Sequence, residues 1–165
     1  MDQIYSEVRI LKLPKMRVAK YEMNSQNPEE DVFRYMDNWK EKSGLTNLKD
    51  YTPRNFGWDI GVKSEVQKNN PDFRGYALCV TLPEDFTPKC NGVEITHIDA
   101  DEYAAMRITE PFINPYEKIP VGWQKLSDYL QTDDCRMRQT NGRYWMEEVI
   151  TIDNVTYMDI YCPAE

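Results

Sequence analysis

Glu147 and the aromatic residues near it have the types and spacing best suited to chemistry in this chain. In the stretch Trp145-Met146-Glu147-Glu148-Val149, strand alternation places Trp145, Glu147 and Val149 on one face. A carboxylate between a tryptophan and a valine loses hydration when it is buried alone. It must then be protonated, paired, or held for a positive ligand. Tyr157 and Tyr161 share parity on the last segment, Trp58 and Tyr76 come from the first half, and Tyr103 from the start of the second. Aromatic faces attract cations by about 0.5–2 kcal/mol per good contact. A buried carboxylate ringed by Tyr and Trp therefore suits an aromatic or lipophilic cation. Two alternatives stay open at this point. The opposite parity, Tyr144, Met146, Glu148 and Ile150, is also apolar with one glutamate, and sequence alone does not say which face is inward. Glu147 could also pair with Arg143, Arg107 or Arg74 in a structural ion pair. Trp39 and Trp123, at helical spacing, are assigned to the core.

Composition removes many other chemistries. The chain has 165 residues with 20 basic and 28 acidic side chains, a net charge of −8. That opposes nucleic-acid binding through phosphates, which needs clustered Lys and Arg. No apolar run approaches the ~20 residues of a membrane span, and the N-terminus lacks the pattern of a signal peptide, so a cytoplasmic location is expected. Cys79, Cys90, Cys135 and Cys162 show no paired spacing, and His97 is the one histidine. No metal site and no cofactor are expected, and the cysteines are read as reduced, mostly buried thiols. Phosphate-loop, dinucleotide and Gly-x-Ser-x-Gly motifs do not occur.

The elements that must position these residues come in two copies. Residues 8–23 align with 93–108 at an offset of 85, so that Val8, Ile10, Leu13 and Ala19 match Val93, Ile95, Ile98 and Ala104. Each copy reads as two short extended segments around a turn, at Pro14-Lys15 and at Asp99-Ala100-Asp101. A helix start follows in both, Asn27-Pro28-Glu29-Glu30 and Asn114-Pro115-Tyr116-Glu117, at an offset of 87. Asparagine there is expected to accept free backbone N–H groups, and proline suits the first helical position. Val32, Met36 and Trp39 map onto Ile119, Trp123 and Leu126, one helical stripe each. Gly44 stops the first helix, while Pro120 is expected to kink the second or move its start to about residue 120. FGWDIGV at 56–62 aligns with RYWMEEV at 143–149, again at 87, so Trp58 meets Trp145 and Ile60 meets Glu147. Strands 75–83 and 155–163 close the copies, with a hairpin turn at Asp153-Asn154. Stretches 44–55 and 83–92 are read as loops, and residues 1–6 as a frayed tail. The expected fold is α+β. Two pseudo-twofold-related strand-helix-strand-strand repeats, about 7–83 and 92–163, form an antiparallel sheet with helices on one face, in a single domain over 1–165.

These residues resemble a known family. VRILKLPKMRVA, GVEITHIDADEYAAMRI, the helix with Trp123, Leu126 and Leu130, and Glu147 with the closing MDIYCP resemble the GyrI-like small-molecule-binding domain, also called the AraC effector-binding domain. The resemblance covers nearly all of residues 7–163. It implies two strand-helix-strand-strand modules of the SHS2 type around a ligand groove, a glutamate that meets cationic or polar-aromatic ligands (here Glu147), and a tyrosine on the closing strand (here Tyr161). Val149 stands where the family often has tyrosine, and Pro120 where it usually keeps a regular helix. Family members often follow a DNA-binding module; with the sequence starting at Met1, none is expected here.

Three functions follow as expectations. The first is a stand-alone binder of cationic or amphipathic aromatic compounds, for sequestration or effector sensing in a drug response, with Glu147 supplying charge and Trp145, Tyr161, Trp58, Tyr76 and Tyr103 supplying walls. The second, implied by the resemblance, is a hydrolase of cyclopropane-type electrophiles, with Glu147 as general base and Trp145 or Trp58 as platform. The third is a protein-interaction role such as gyrase inhibition, or a homodimer, through an acidic face.

Overall fold

A computed structural model describes residues 3–62, 64–131 and 145–163. The chain divides into two compact units. A middle unit spans Met16–Ile98, and a terminal unit joins Met1–Lys15 to Asp99–Glu165. The secondary structure is mixed, with eight strands and three helices among the described residues.

The middle unit holds β2 (Met16–Ser25), α1 (Pro28–Ser43), β3 (Asn55–Ile60), α2 (Ser64–Asn69), β4 (Arg74–Leu82) and β5 (Glu94–Ile98). Its strands pair antiparallel in the order β3-β4-β2-β5. Helix α1 starts with Pro28 at its first position and acidic residues in its first turn, and ends at Gly44 with φ 92°. That left-handed conformation suits glycine and lets its N–H reach the Glu41 carbonyl. The Asn27 side chain makes no cap bond; its backbone carbonyl takes the Asp31 N–H at 3.0 Å instead. Val32, Met36 and Trp39 are buried against Ala19, Tyr76, Leu78, Val80 and Leu82, so the expected stripe faces one side of the sheet. Helix α2 was not anticipated: six residues carry too little periodicity to separate from a loop.

The terminal unit holds β1 (Arg9–Leu13), β6 (Asp101–Thr109), α3 (Pro115–Leu130), β7 (Met146–Ile152) and β8 (Val155–Pro163). Its antiparallel order is β1-β6-β8-β7. Helix α3 packs Leu126 and Leu130 on Ala104, Met106, Ile108, Met158, Ile160 and Cys162. The helix begins at Pro115, with Pro120 inside it rather than at its start. Pro120 removes the N–H that would bond the carbonyl of Tyr116, at a residue 96% exposed to solvent. The Asp153-Asn154 hairpin forms as expected, with φ 51° and 66°.

Two further features depart from expectation. The first strand of each sequence repeat pairs with the second strand of the other: β1 with β6, and β5 with β2. Proline at 14 cannot adopt the positive φ of a tight hairpin, so β1 does not fold back on β2. Residues 3–6 are not a frayed tail. Ile4 accepts the Thr109 N–H at 2.8 Å, Ser6 donates to Arg107 at 2.9 Å, and the Tyr5 hydroxyl donates to the Lys118 carbonyl at 2.9 Å.

Cys79 and Cys162 are buried thiols and Cys90 is half-buried, while Cys135 lies outside the described residues. Burial pushes the Cys79 thiol from 9.0 up to about 12, against the opposing pull of Lys20. This proton-holding preference stabilises the fold below pH 9.0 and is lost as pH rises toward about 12. Iodoacetamide at pH 8 is therefore expected to leave Cys79 unmodified in the native protein and to alkylate it on unfolding; rapid native labelling of the Cys79 peptide by mass spectrometry contradicts this. Packing gives a second test. A Cβ built at Gly57 would overlap the ring of Tyr76. Gly57→Ala should cost about 1–3 kcal/mol in urea unfolding, as overpacked cores do, and an unchanged midpoint would refute that packing.

Candidate functional site

The two faces of the terminal sheet differ in what they bury. Trp145, Val149, Met158, Ile160 and Met106 belong to the core under α3, and Glu147 stands opposite Ile160 in the same row. Glu147 is half-buried there, and Trp145 packs on Trp123 with ring centroids 5.6 Å apart. The face away from α3 carries Met146, Glu148 and Ile150 on β7, Tyr157, Asp159 and Tyr161 on β8, and Tyr103, Ala105 and Arg107 on β6. No helix of this unit covers that face among the described residues, yet Glu148, Tyr161 and Tyr103 are each 2% exposed and Asp159 is 3%.

Two polar pairs satisfy the acids on this face. The Tyr161 hydroxyl donates to Glu148 Oε1 at 2.6 Å. Arg107 grips Asp159 with both arms of its fork, Nε to Oδ1 at 2.7 Å and Nη2 to Oδ2 at 3.0 Å. The Asp159 hydrogen bond holds the Arg107 guanidinium above its ordinary value, outweighing the opposing effect of burial. Arg107 also lies 5.1 Å from the Tyr157 ring centroid, and Tyr103 meets Tyr161 edge-on at 5.9 Å. The chemistry available is a buried carboxylate with a phenol bonded to it and aromatic edges beside it.

The sequence-predicted residues are thus distributed. Glu147 and Trp145 lie together on the α3 side. Tyr161 and Tyr103 lie on the other face, with Glu148. In the middle unit Tyr76 is buried in the α1 core above Gly57, while Trp58 is buried on the face away from α1, with the Lys20 ammonium 5.6 Å from its ring centroid. Of the arginines considered for Glu147, Arg107 pairs with Asp159, Arg74 pairs with Glu29 at 3.1 Å, and Arg143 lies outside the described residues.

The strand alignment at an offset of 87 is corrected by the ladders. Ala19 opposes Val80, and its equivalent Ala104 opposes Cys162. Ala77 is therefore matched by Asp159, and their neighbours on the next strand are Trp58 and Glu148. The true partner of Trp58 is Glu148, an offset of 90. An offset of 90 is three more than 87, and an odd shift moves every side chain to the opposite face. For this reason Glu148 and Arg107 enter the sequence reading only as alternatives, and Asp159 not at all. The signal was present: a two-residue turn at Asp153-Asn154 pairs Ile152 with Val155, and counting outward sets Glu148 against Asp159 and Met146 against Tyr161.

The family model of the GyrI-like small-molecule-binding domain matches residues 6–165, and the chain belongs to this family. Solved structures of the same fold include the C-terminal domain of EcmrR, at 13% identity and TM-score 0.64, with 99% of each chain covered. In the EcmrR–DNA complex the match has 13% identity and TM-score 0.63, covers 98% of this chain and spans 58% of that one. A hydrolase from Listeria innocua matches at 9% identity and TM-score 0.61, over 96% of this chain and 92% of its own. SAV2435 bound to tetraphenylphosphonium matches at 9% identity and TM-score 0.54, over 97% and 94%. No curated protein sequence matches the chain. Among the described residues no helix is long and apolar enough to cross a membrane.

The Tyr161–Glu148 bond makes a direct prediction. Tyr161→Phe removes a donor from a buried carboxylate and should cost about 1–3 kcal/mol in urea unfolding at pH 7. A double-mutant cycle with Glu148→Gln should show coupling, whereas the cycle with Glu147→Gln should be additive within about 0.5 kcal/mol. The reverse pattern would place the phenol's partner at Glu147.

Proposed function

We propose that this domain binds a lipophilic or aromatic cation, with Glu148 as its anionic contact and Tyr161 and Tyr103 as its aromatic wall. Family membership supplies the coarser statement, a small-molecule-binding domain. The observation that carries the finer one is a carboxylate 2% exposed on the helix-free face of the terminal sheet, at a position that is tryptophan in the other repeat. The fold does not need an acid there, since Trp58 serves the middle unit. A carboxylate in a site walled by aromatic rings is the type of group that attracts a lipophilic cation. The Tyr161 hydroxyl, donating to Glu148 Oε1, orients the carboxylate. Tyrosine rings add the quadrupole attraction that favours soft cations over hydrated ones.

Glu147 and Trp145 are not part of this reading, because their row belongs to the α3 core. Asp159 is set apart by its forked pairing with Arg107. Binding rather than turnover is the function proposed. The phosphonium-bound relative shares the fold at 9% identity, and its ligand is a convenient probe rather than an assignment.

Tetraphenylphosphonium titrated into the protein, with tryptophan fluorescence as readout, tests this. Glu148→Gln should weaken binding by at least about tenfold relative to a neutral aromatic analogue of similar size, since removing one partner of a desolvated charge pair costs about 2–5 kcal/mol. Glu147→Gln should change affinity by no more than about twofold, near the range of ordinary surface substitutions. Equal losses for charged and neutral probes in Glu148→Gln would reject the charge contact.

A further inference from the structure

We infer that the open edge of β2 at Glu22–Asn24 is a docking site for an extended basic peptide, which adds there as an antiparallel strand. Strand β2 runs to Ser25, but its neighbour β5 covers it only as far as Lys20, which opposes Glu94. Beyond that pair Gly92, at φ 107°, turns the chain away from β2. The Tyr35 hydroxyl holds the turn by donating to the Gly92 carbonyl at 2.7 Å. The turn leaves a shallow groove of about 440 Å³ lined by Lys20, Tyr21, Glu22, Gly92, Val93 and Glu94.

The other repeat shows what fits such an edge. Glu22, Met23 and Asn24 correspond to Arg107, Ile108 and Thr109 on β6. There the chain continues past β1 as an added strand. Ser6 donates its N–H to the Arg107 carbonyl at 2.9 Å, Thr109 donates to Ile4 at 2.8 Å, and Tyr5 bridges Ile108. The residues equivalent to Ile4–Ser6 are Lys89, Cys90 and Asn91. They are diverted: the Lys89 N–H bonds the Ser43 carbonyl at the end of α1, at 3.0 Å. Among the described residues no backbone hydrogen bond closes the groove side of Glu22 or Asn24. Main-chain groups of this kind are the usual basis of strand addition.

Side chains around the groove define the guest. The helix position beside Tyr5 in the terminal unit is Gly122; in the middle unit it is Tyr35, stacked on Tyr21 at 3.9 Å. The space a guest side chain would enter opposite Met23 is therefore already filled, and that guest residue must be small. On the other face Glu22 and Glu94 flank the single ammonium of Lys20, which sits 3.2 Å from Glu22. Guest residues on that side are expected to be lysine or arginine. A second copy of this chain is the poorer guest, because two like edges would bring Glu22 and Glu94 against their own kind on a chain of net charge −8.

The probe is a fluorescein-labelled peptide of residues 3–8 of this chain carrying I4K, Y5A and S6K, titrated into the full-length protein. The expected result is saturable binding by anisotropy, with the amide resonances of Glu22 and Asn24 shifting in the protein's NMR spectrum. Asn24→Pro removes an edge N–H without touching the ladder to β4, and should weaken binding by about tenfold or more, the worth of one backbone hydrogen bond. The same peptide N-methylated at its pairing amides should lose as much against the unaltered protein, which keeps the test intact if Asn24→Pro fails to fold. Glu148→Gln should leave peptide affinity unchanged, separating this site from the cation site. Absence of binding at millimolar peptide, equal affinity of the N-methylated peptide, or shifts confined to other amides would overturn the inference.

Discussion

A carboxylate held out of water by a phenol is the constraint around which the terminal unit is arranged. Glu148 is 2% exposed and takes its bond from Tyr161 at 2.6 Å. Burial of such a group is expensive, so the residues that fix it must be placed with little freedom. Strand pairing supplies that placement. The tight turn at Asp153-Asn154 locks β7 to β8, and Ala104 opposite Cys162 locks β8 to β6, so Glu148, Asp159 and Arg107 fall into one row. Helix α3 takes the other face, and its packing on Met106, Ile108 and Ile160 keeps the sheet from slipping. A one-residue slip of β7 would exchange Glu148 for Glu147 and bring Val149 to the polar face.

Much of the fold was legible in the sequence because its signals are local. The β5 and β6 segments, both helix starts, the Gly44 stop and the Asp153-Asn154 hairpin each rest on residue chemistry within a few positions. The strand exchange was not legible, since the Pro14-Lys15 turn says that the chain bends and not which sheet each arm joins. Pro120 was weighed by its missing donor and ring, yet the helix runs through it, because the affected carbonyl lies in an exposed first turn. The short helix α2 offered too few residues for a pattern.

The residues of the proposed site were legible in part. Tyr161 and Tyr103 were named and lie beside the buried acid. Aligning Trp58 with Trp145 favours the Glu147 parity over the Glu148 parity, and the sequence leaves both open. Matching large aromatic residues is persuasive but carries no register; backbone pairing does, and it sets Trp58 against Glu148. In the register of the ladders the two repeats share one framework. That framework separates what the fold requires from what one unit carries in addition: an acid in place of Trp58, and an uncovered edge at Glu22 where the terminal unit seats its own N-terminal residues.

The proposed contact between Glu148 and a cation is read directly by carboxyl-detected NMR. With the glutamate side chains labelled with carbon-13 and the protein saturated with tetraphenylphosphonium, the Glu148 carboxyl resonance is expected to move while that of Glu147 stays in place. Movement of the Glu147 resonance with Glu148 unchanged would contradict the account.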